Sequence, residues 1–220
     1  MQTIDLYPHL LKNSDTNPLF ESIVDDIYQQ GFSIQPNALP DSLSLQLLQQ
    51  LKRTQQSQFK QAGIGRGDLN AVNGFVRKDK IFWLEPELPE YQEWFLWTEA
   101  LKAYLNRELF LGLQSIESHF AHYEPNDFYK KHLDAFKGDT NRKLSLVTYL
   151  NPNWQPHYGG ELFIYPNDDN LQAIKITPQL GTIAIFLSED FPHEVLPATQ
   201  NRYSIASWFS VNPLNPLKLI

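Results

Sequence analysis

The segments IESHFAHY (116–123), KLSLVTYL (143–150), ELFIY (161–165), QAIKIT (172–177), TIAIFL (182–187), EVL (194–196) and YSIASWFSV (203–211) decide the fold class. Each is short, apolar or alternating, and bounded by turn residues such as Pro152, Gly159, Gly160, Pro178, Gly181, Pro197 and Asn201. Strands at this density without helices between them form a sandwich or barrel, because each half-buried face must find another sheet to cover it. Upstream the texture is helical. Asn17 and Pro18 at N-cap and first-turn positions, apolar residues from Leu19 to Ile27, and Gly31 beyond them predict a helix. A second is expected from about Asp41 to Phe59, with Leu43, Leu47, Leu48 and Leu51 on one face, and a third from about Glu90 to Arg107. Between them, GFVRKDKIFWL (74–84) reads as two short strands joined by a polar turn. The fold class is therefore mainly β with supporting N-terminal helices. One domain is expected over 1–220, with 1–110 as largely helical support plus a loop and 111–212 as the β core.

The 220 residues carry 42% hydrophobic and 20% charged side chains, enough for a packed core. The formal charge of −7 disfavours a protein that holds nucleic acid by neutralising phosphates. With no cysteine, thiolate catalysis and cysteine-ligated zinc or iron-sulfur clusters are excluded, so any metal must be held by His, Asp or Glu. The opening MQTIDLYP (1–8) lacks the basic and apolar stretches of a signal peptide, and no run approaches a membrane span. A soluble cytoplasmic protein with no membrane partner is the expectation. The glycines of GIGRG (63–67) lack the Lys-Ser/Thr and strand-to-helix context of a phosphate cradle, and Arg66-Gly67-Asp68 reads as surface loop.

Six histidines are available, and one stands apart. His132 and Asp134 lie at i and i+2, so on an extended segment both side chains face one side. Taken alone, that spacing also describes a surface hydrogen-bonded pair. His193 follows in a different expected strand, and two imidazoles plus one carboxylate on one face of an ion form the triad of non-haem Fe(II) oxygenases. Arg202 lies one expected turn later. Buried there it needs a carboxylate or phosphate partner, which a dicarboxylate cosubstrate would satisfy, whereas at an exposed strand start it would take a surface partner. Glu194, next to His193, should point the other way.

In order and spacing, HYEPNDFYKKHLD (122–134), LVTYLNPNW (146–154), GGELFIYP (159–166), PHEVLPA (192–198) and RYSIASW (202–208) resemble the iron and 2-oxoglutarate dependent prolyl 4-hydroxylase family, most closely its hypoxia-sensing branch and bacterial relatives. The resemblance reaches back to VRKDKIFW (76–83), while the first 60 residues are less diagnostic. It implies a double-stranded β-helix of the jelly-roll type. Further implications are Fe(II) held by His132, Asp134 and His193, 2-oxoglutarate held by Arg202, Tyr149 and Tyr123, ascorbate as reductant, and O2 as the other reactant. Arg77 and Asp79 fall where the family has a loop that closes over the peptide, and Arg142 and Trp208 where it lines the substrate pocket. The implied reaction converts 2-oxoglutarate and O2 to succinate and CO2 while hydroxylating a prolyl residue of a protein. Rival readings are an oxygenase of a small molecule or nucleic acid on the same scaffold, and a non-catalytic 2-oxoglutarate-binding module. Lys78, where close relatives have glycine, leaves the loop shape open.

Overall fold

The computed structural model describes residues 17–54, 56–63, 74–135 and 141–213. The GIGRG glycines beyond Gly63 and the Arg66-Gly67-Asp68 tripeptide lie outside them. Helix α1 (Pro18–Gln30) begins as its sequence requires: Asn17 Oδ1 accepts from the backbone N–H of Leu19 and Phe20, and Pro18 takes the first position. It ends at Gly31, whose φ of +81° brings its backbone close against the Phe191 ring. Helix α2 (Asp41–Arg53) stops six residues before the expected end. The polar residues after Arg53 have no face to bury, Thr54 is extended, and Phe59 instead turns its ring toward Phe82 and His122. A single 3-10 turn precedes helix α3 (Gln92–Leu109), which buries Trp94, Trp97, Leu101 and Leu105.

Among the described residues the paired strands are all antiparallel and fall into two sheets. Strands β1 (Phe32–Gln35), β2 (Lys60–Gln61), β3 (Lys80–Trp83), β4 (Ser115–Tyr123), β6 (Arg142–Tyr149), β9 (Ile183–Leu187) and β11 (Arg202–Ser210) form the larger, in the order β1-β9-β6-β11-β4-β3-β2. Strands β5 (Tyr129–His132), β7 (Leu162–Ile164), β8 (Ile174–Ile176) and β10 (His193–Val195) form the smaller, in the order β5-β10-β7-β8. This is the expected jelly roll, with β1 and β2 added to the edges of the larger sheet. Phe120, Leu144, Leu146, Ile185, Ile205 and Phe209 point outward into the core shared with the helices. Tyr123, Tyr149, Ala184 and Phe186 point inward, meeting Leu162, Ile164, Ile176 and Val195 of the smaller sheet. Period-two alternation thus separates a structural face from a cavity face.

The expected two strands within 74–84 are one. Residues 74–76 form a turn, Arg77 makes an isolated bridge to Tyr129, and only Lys80–Trp83 is a strand. The segment changes sheets on the way: Lys78 N–H donates to Phe128 and Lys130 N–H to Val76 on the smaller sheet, while β3 pairs with β4 on the larger. A crossing of this kind spans the open side of the two-sheet sandwich, so its first half cannot share a ladder with its second.

Candidate active site

His132 ends β5 and His193 begins β10, and the two are direct partners across the ladder, their ring centroids 4.2 Å apart. Between Val195 and His193 the register slips by one residue, so that Tyr129 and His132 lie together and their rings stack at 3.5 Å. Asp134 follows two residues after β5 and places Oδ1 3.6 Å from His132 Nε2 and Oδ2 3.6 Å from His193 Nε2. All three offer ligand atoms within 4.8 Å of one another.

Hydrogen bonds orient both rings and the carboxylate. Backbone carbonyls of Lys130 and Phe191 accept from Nδ1 of His132 and His193, which leaves each Nε2 lone pair facing the carboxylate. Burial, reinforced by the adjacent His132, pushes the His193 pKa down to about 4. Burial opposes the charge on Asp134, yet the two imidazoles and the Ser145 hydroxyl outweigh it and hold the carboxyl well below its usual range. Ser145 Oγ donates to Asp134 Oδ2 at 2.6 Å and lies 2.9 Å from Ser188 Oγ. Neutral imidazoles and an ionised carboxylate are the states a divalent cation binds.

Arg202 sits at the start of β11, 1% exposed, opposite Tyr123 on β4. Its Nε donates to Gly160 at 2.8 Å and Nη1 to Ser204 Oγ at 3.3 Å, while Nη2 has no partner. Among the described residues no carboxylate pairs with it. Tyr149, fully buried and opposite Ser204, likewise leaves its hydroxyl without a hydrogen bond, and burial pushes its pKa up to about 12 against the opposing guanidinium. The Arg202 guanidinium carbon stands 4.9 and 5.2 Å from the Tyr123 and Tyr149 ring centroids. Burial, with Asp79 next, raises the Tyr123 pKa, so this phenol stays protonated. Gly160 must be glycine: its φ is +73°, and a Cβ would lie 2.9 Å from that of Ala198 and 3.3 Å from Arg202 Cδ. A buried guanidinium and a phenol with unmet hydrogen-bonding capacity fit a carboxylate that is not part of the chain.

Residues 118–210 match the 2OG-Fe(II) oxygenase superfamily. A prolyl-4-hydroxylase from Pseudomonas putida is 34% identical with a TM-score of 0.79, over 88% of this chain and 99% of that one. The chain belongs to this superfamily, in its prolyl 4-hydroxylase branch. The oxygenase is also similar to a prolyl hydroxylase of Trichoplax adhaerens solved with a hypoxia inducible factor peptide, at 29% identity and a TM-score of 0.76 over 87% of this chain and 89% of that one. Human Egl nine homolog 1 is 31% identical over 142 residues, 61% of this chain but only 33% of the human protein. Membership implies Fe(II) and 2-oxoglutarate, and both the His-His-Asp donor set and the unmet Arg202 and Tyr149 groups fit them.

The remaining expected site residues lie around the same cavity. Arg77 stacks over Tyr129 at 4.2 Å and is gripped by Asp79 through two bonds of 2.8 and 2.6 Å. Asp79 has no exposed surface. Its two bonds fix Arg77 in place on that loop. Trp208 lies opposite Ser145 on β6 and Glu117 on β4, with Nε1 unpartnered, and Arg142 covers its ring at 3.8 Å. Glu194 accepts from the Tyr165 hydroxyl and takes no part in the histidine cluster. Among the described residues no helix is long and apolar enough to cross a membrane.

His119 is a residue the sequence did not single out. Its ring packs edge-on to Trp83 at 5.0 Å and against Trp208 at 5.3 Å, and burial, with Arg77 next, lowers its pKa to about 4. The unfolded chain binds a proton near 6.5 that the folded chain refuses, so stability present above that pH is lost as pH falls toward 4. Between about pH 7.5 and 4.5 this one group removes roughly 2–3 kcal/mol. Urea unfolding at both pH values checks it: His119→Gln is expected to lose less stability on acidification than the parent, and an equal loss would refute the assignment.

Proposed function

We propose that this oxygenase hydroxylates a prolyl residue within a protein, the activity for which its relatives are named. The observation that carries the reading is the buried, carboxylate-free Arg202 beside the unpaired Tyr149 hydroxyl, on the same cavity face as Ser145, which holds Asp134. In this reading His132, Asp134 and His193 hold Fe(II). Arg202 and Tyr149 grip the far carboxylate of 2-oxoglutarate, and Tyr123 lies near the metal end of the cosubstrate. Bound iron supplies the oxidative decarboxylation of 2-oxoglutarate by O2 that drives hydroxylation.

The chain's own side chains position and enclose. Backbone carbonyls orient both imidazoles, and Ser145 orients the carboxylate. The segment from Val76 to Trp83 pairs with both sheets, and in this reading it closes the side between them and limits water. Arg77, Arg142 and Trp208 line the side that receives the protein substrate. Chain 1–220 acts as one domain, in the cytoplasm, without nucleic-acid or membrane partners. Incubation of the Fe(II)-loaded protein with 2-oxoglutarate and a cell lysate tests this: added oxygen on prolyl residues is expected, absent with His132→Ala. Succinate formation without a prolyl product would overturn the prolyl assignment and leave the oxygenase chemistry standing.

A further inference from the structure

Among the described residues three arginines stand near the site, and they differ in how their charge is met. Arg77 is held by buried Asp79. Arg142 is held by Glu117, which accepts from Nε at 2.8 Å and closely from Nη2. Only Arg202 faces the cavity without a carboxylate among the described residues. A dianion is thus expected at the Arg202 end, while at the opposite end the chain has already supplied the anion.

The Glu117–Arg142 pair is built into the cavity face. Glu117 lies directly across from Trp208 on β11, and a bulge between Phe209 and Ser210 skips Lys143, so that Arg142 pairs with Ser210 on the Trp208 side. The guanidinium carbon then stands 3.8 Å from the centre of the Trp208 ring, whose buried N–H has no acceptor among the described residues. What this corner offers an incoming group is hydrogen-bond donors with their charge cancelled. A peptide carbonyl can accept from them at little cost. A free carboxylate finds no net positive charge there to offset the loss of its own hydration.

We infer that Glu117 is a specificity-determining residue: by neutralising Arg142 it makes the oxygenase reject prolines that bear a free carboxylate and accept those whose carbonyl is amidated within a chain. The inference rests on the prolyl reading above and adds the residue that enforces the internal position. It acts through Arg142 and touches no reacting atom.

The test uses the Fe(II)-loaded protein with 2-oxoglutarate and two short peptide libraries, one with an internal proline and an amidated end, the other ending on proline with a free carboxylate. The ratio of prolyl oxidation between them is read by mass spectrometry. Glu117→Gln keeps the acceptor oxygen and removes the charge, and is expected to shift the ratio toward the carboxylate library by about tenfold or more. Arg142→Gln leaves Glu117 uncancelled and should shift it the other way, which keeps the inference testable if Glu117→Gln fails to fold. Prolyl product with an unchanged ratio in either folded variant overturns the role of Glu117 alone. Oxidation of neither library by the parent protein, with 2-oxoglutarate still consumed, overturns the prolyl reading and this inference with it.

Discussion

Arg202→Gln is expected to raise the KM for 2-oxoglutarate by about a hundredfold to several thousandfold, since breaking one side of a buried charge pair costs roughly 3–5 kcal/mol. The same change should make the protein more stable when no cosubstrate is present. Arg202 is 1% exposed and has no carboxylate partner among the described residues, so the folded chain bears a desolvation cost that a bound anion offsets. Glutamine retains an amide to donate to Gly160 and removes that cost. A gain of about 1 kcal/mol would raise the melting temperature by roughly 2–4 °C. Adding 2-oxoglutarate with a divalent metal should then stabilise the parent and leave the variant nearly unmoved. Steady-state kinetics and thermal melts with and without cosubstrate check both signs. An unchanged KM would remove Arg202 from the cosubstrate site.

Loss of a metal ligand should have the largest effect on turnover. Asp134→Ala or His193→Ala is expected to reduce activity by at least about a thousandfold and to abolish stoichiometric Fe(II) binding, because two remaining donors cannot compete with water for a ferrous ion. Chelator treatment of the parent should reproduce the loss, reversibly on adding Fe(II). Neither change should unfold the protein. Asp134 sits at the end of the ladder, and without its charge the Ser145 and Ser188 hydroxyls still satisfy one another. His119→Gln, which removes a buried histidine outside the cluster, should leave Fe(II) stoichiometry intact and serves as the contrast. Metal analysis alongside circular dichroism distinguishes lost ligation from lost fold. Full iron occupancy in His193→Ala would refute its place in the triad.

Several features are readable from residue order because local rules govern them. The start of α1 follows from Asn17-Pro18 and its end from Gly31, and the strands from β6 onward follow alternation bounded by turn residues. His132 and Asp134 share a side because they are two apart, and the spacing to His193 and Arg202 carries the family likeness. The end of α2 at Arg53 is not legible in the sequence, because the polar glutamines after it satisfy a helix pattern without stating where burial stops. Strand β1 was missed because four residues after a helix show their pairing only once β9 is beside them.

Long-range register decided the rest. Ladder pairing sets His132 against His193, and the slip between His193 and Val195 brings Tyr129 over His132, neither of which residue spacing contains. Simple alternation from Tyr149 through Val147 and Ser145 would turn Lys143 inward, yet the bulge opposite Phe209 and Ser210 presents Arg142. Glu117 becomes its partner only because β4 and β6 flank β11, and the break of 74–84 between two sheets depends on both edges being in place. Composition, periodicity and caps belong to neighbouring residues, so the chain alone determined the helix starts, most strands and the chemical identity of the donors. Which charges are cancelled, and which are left for a ligand, was decided by the tertiary structure, because Coulomb interactions act through space between residues far apart in the chain.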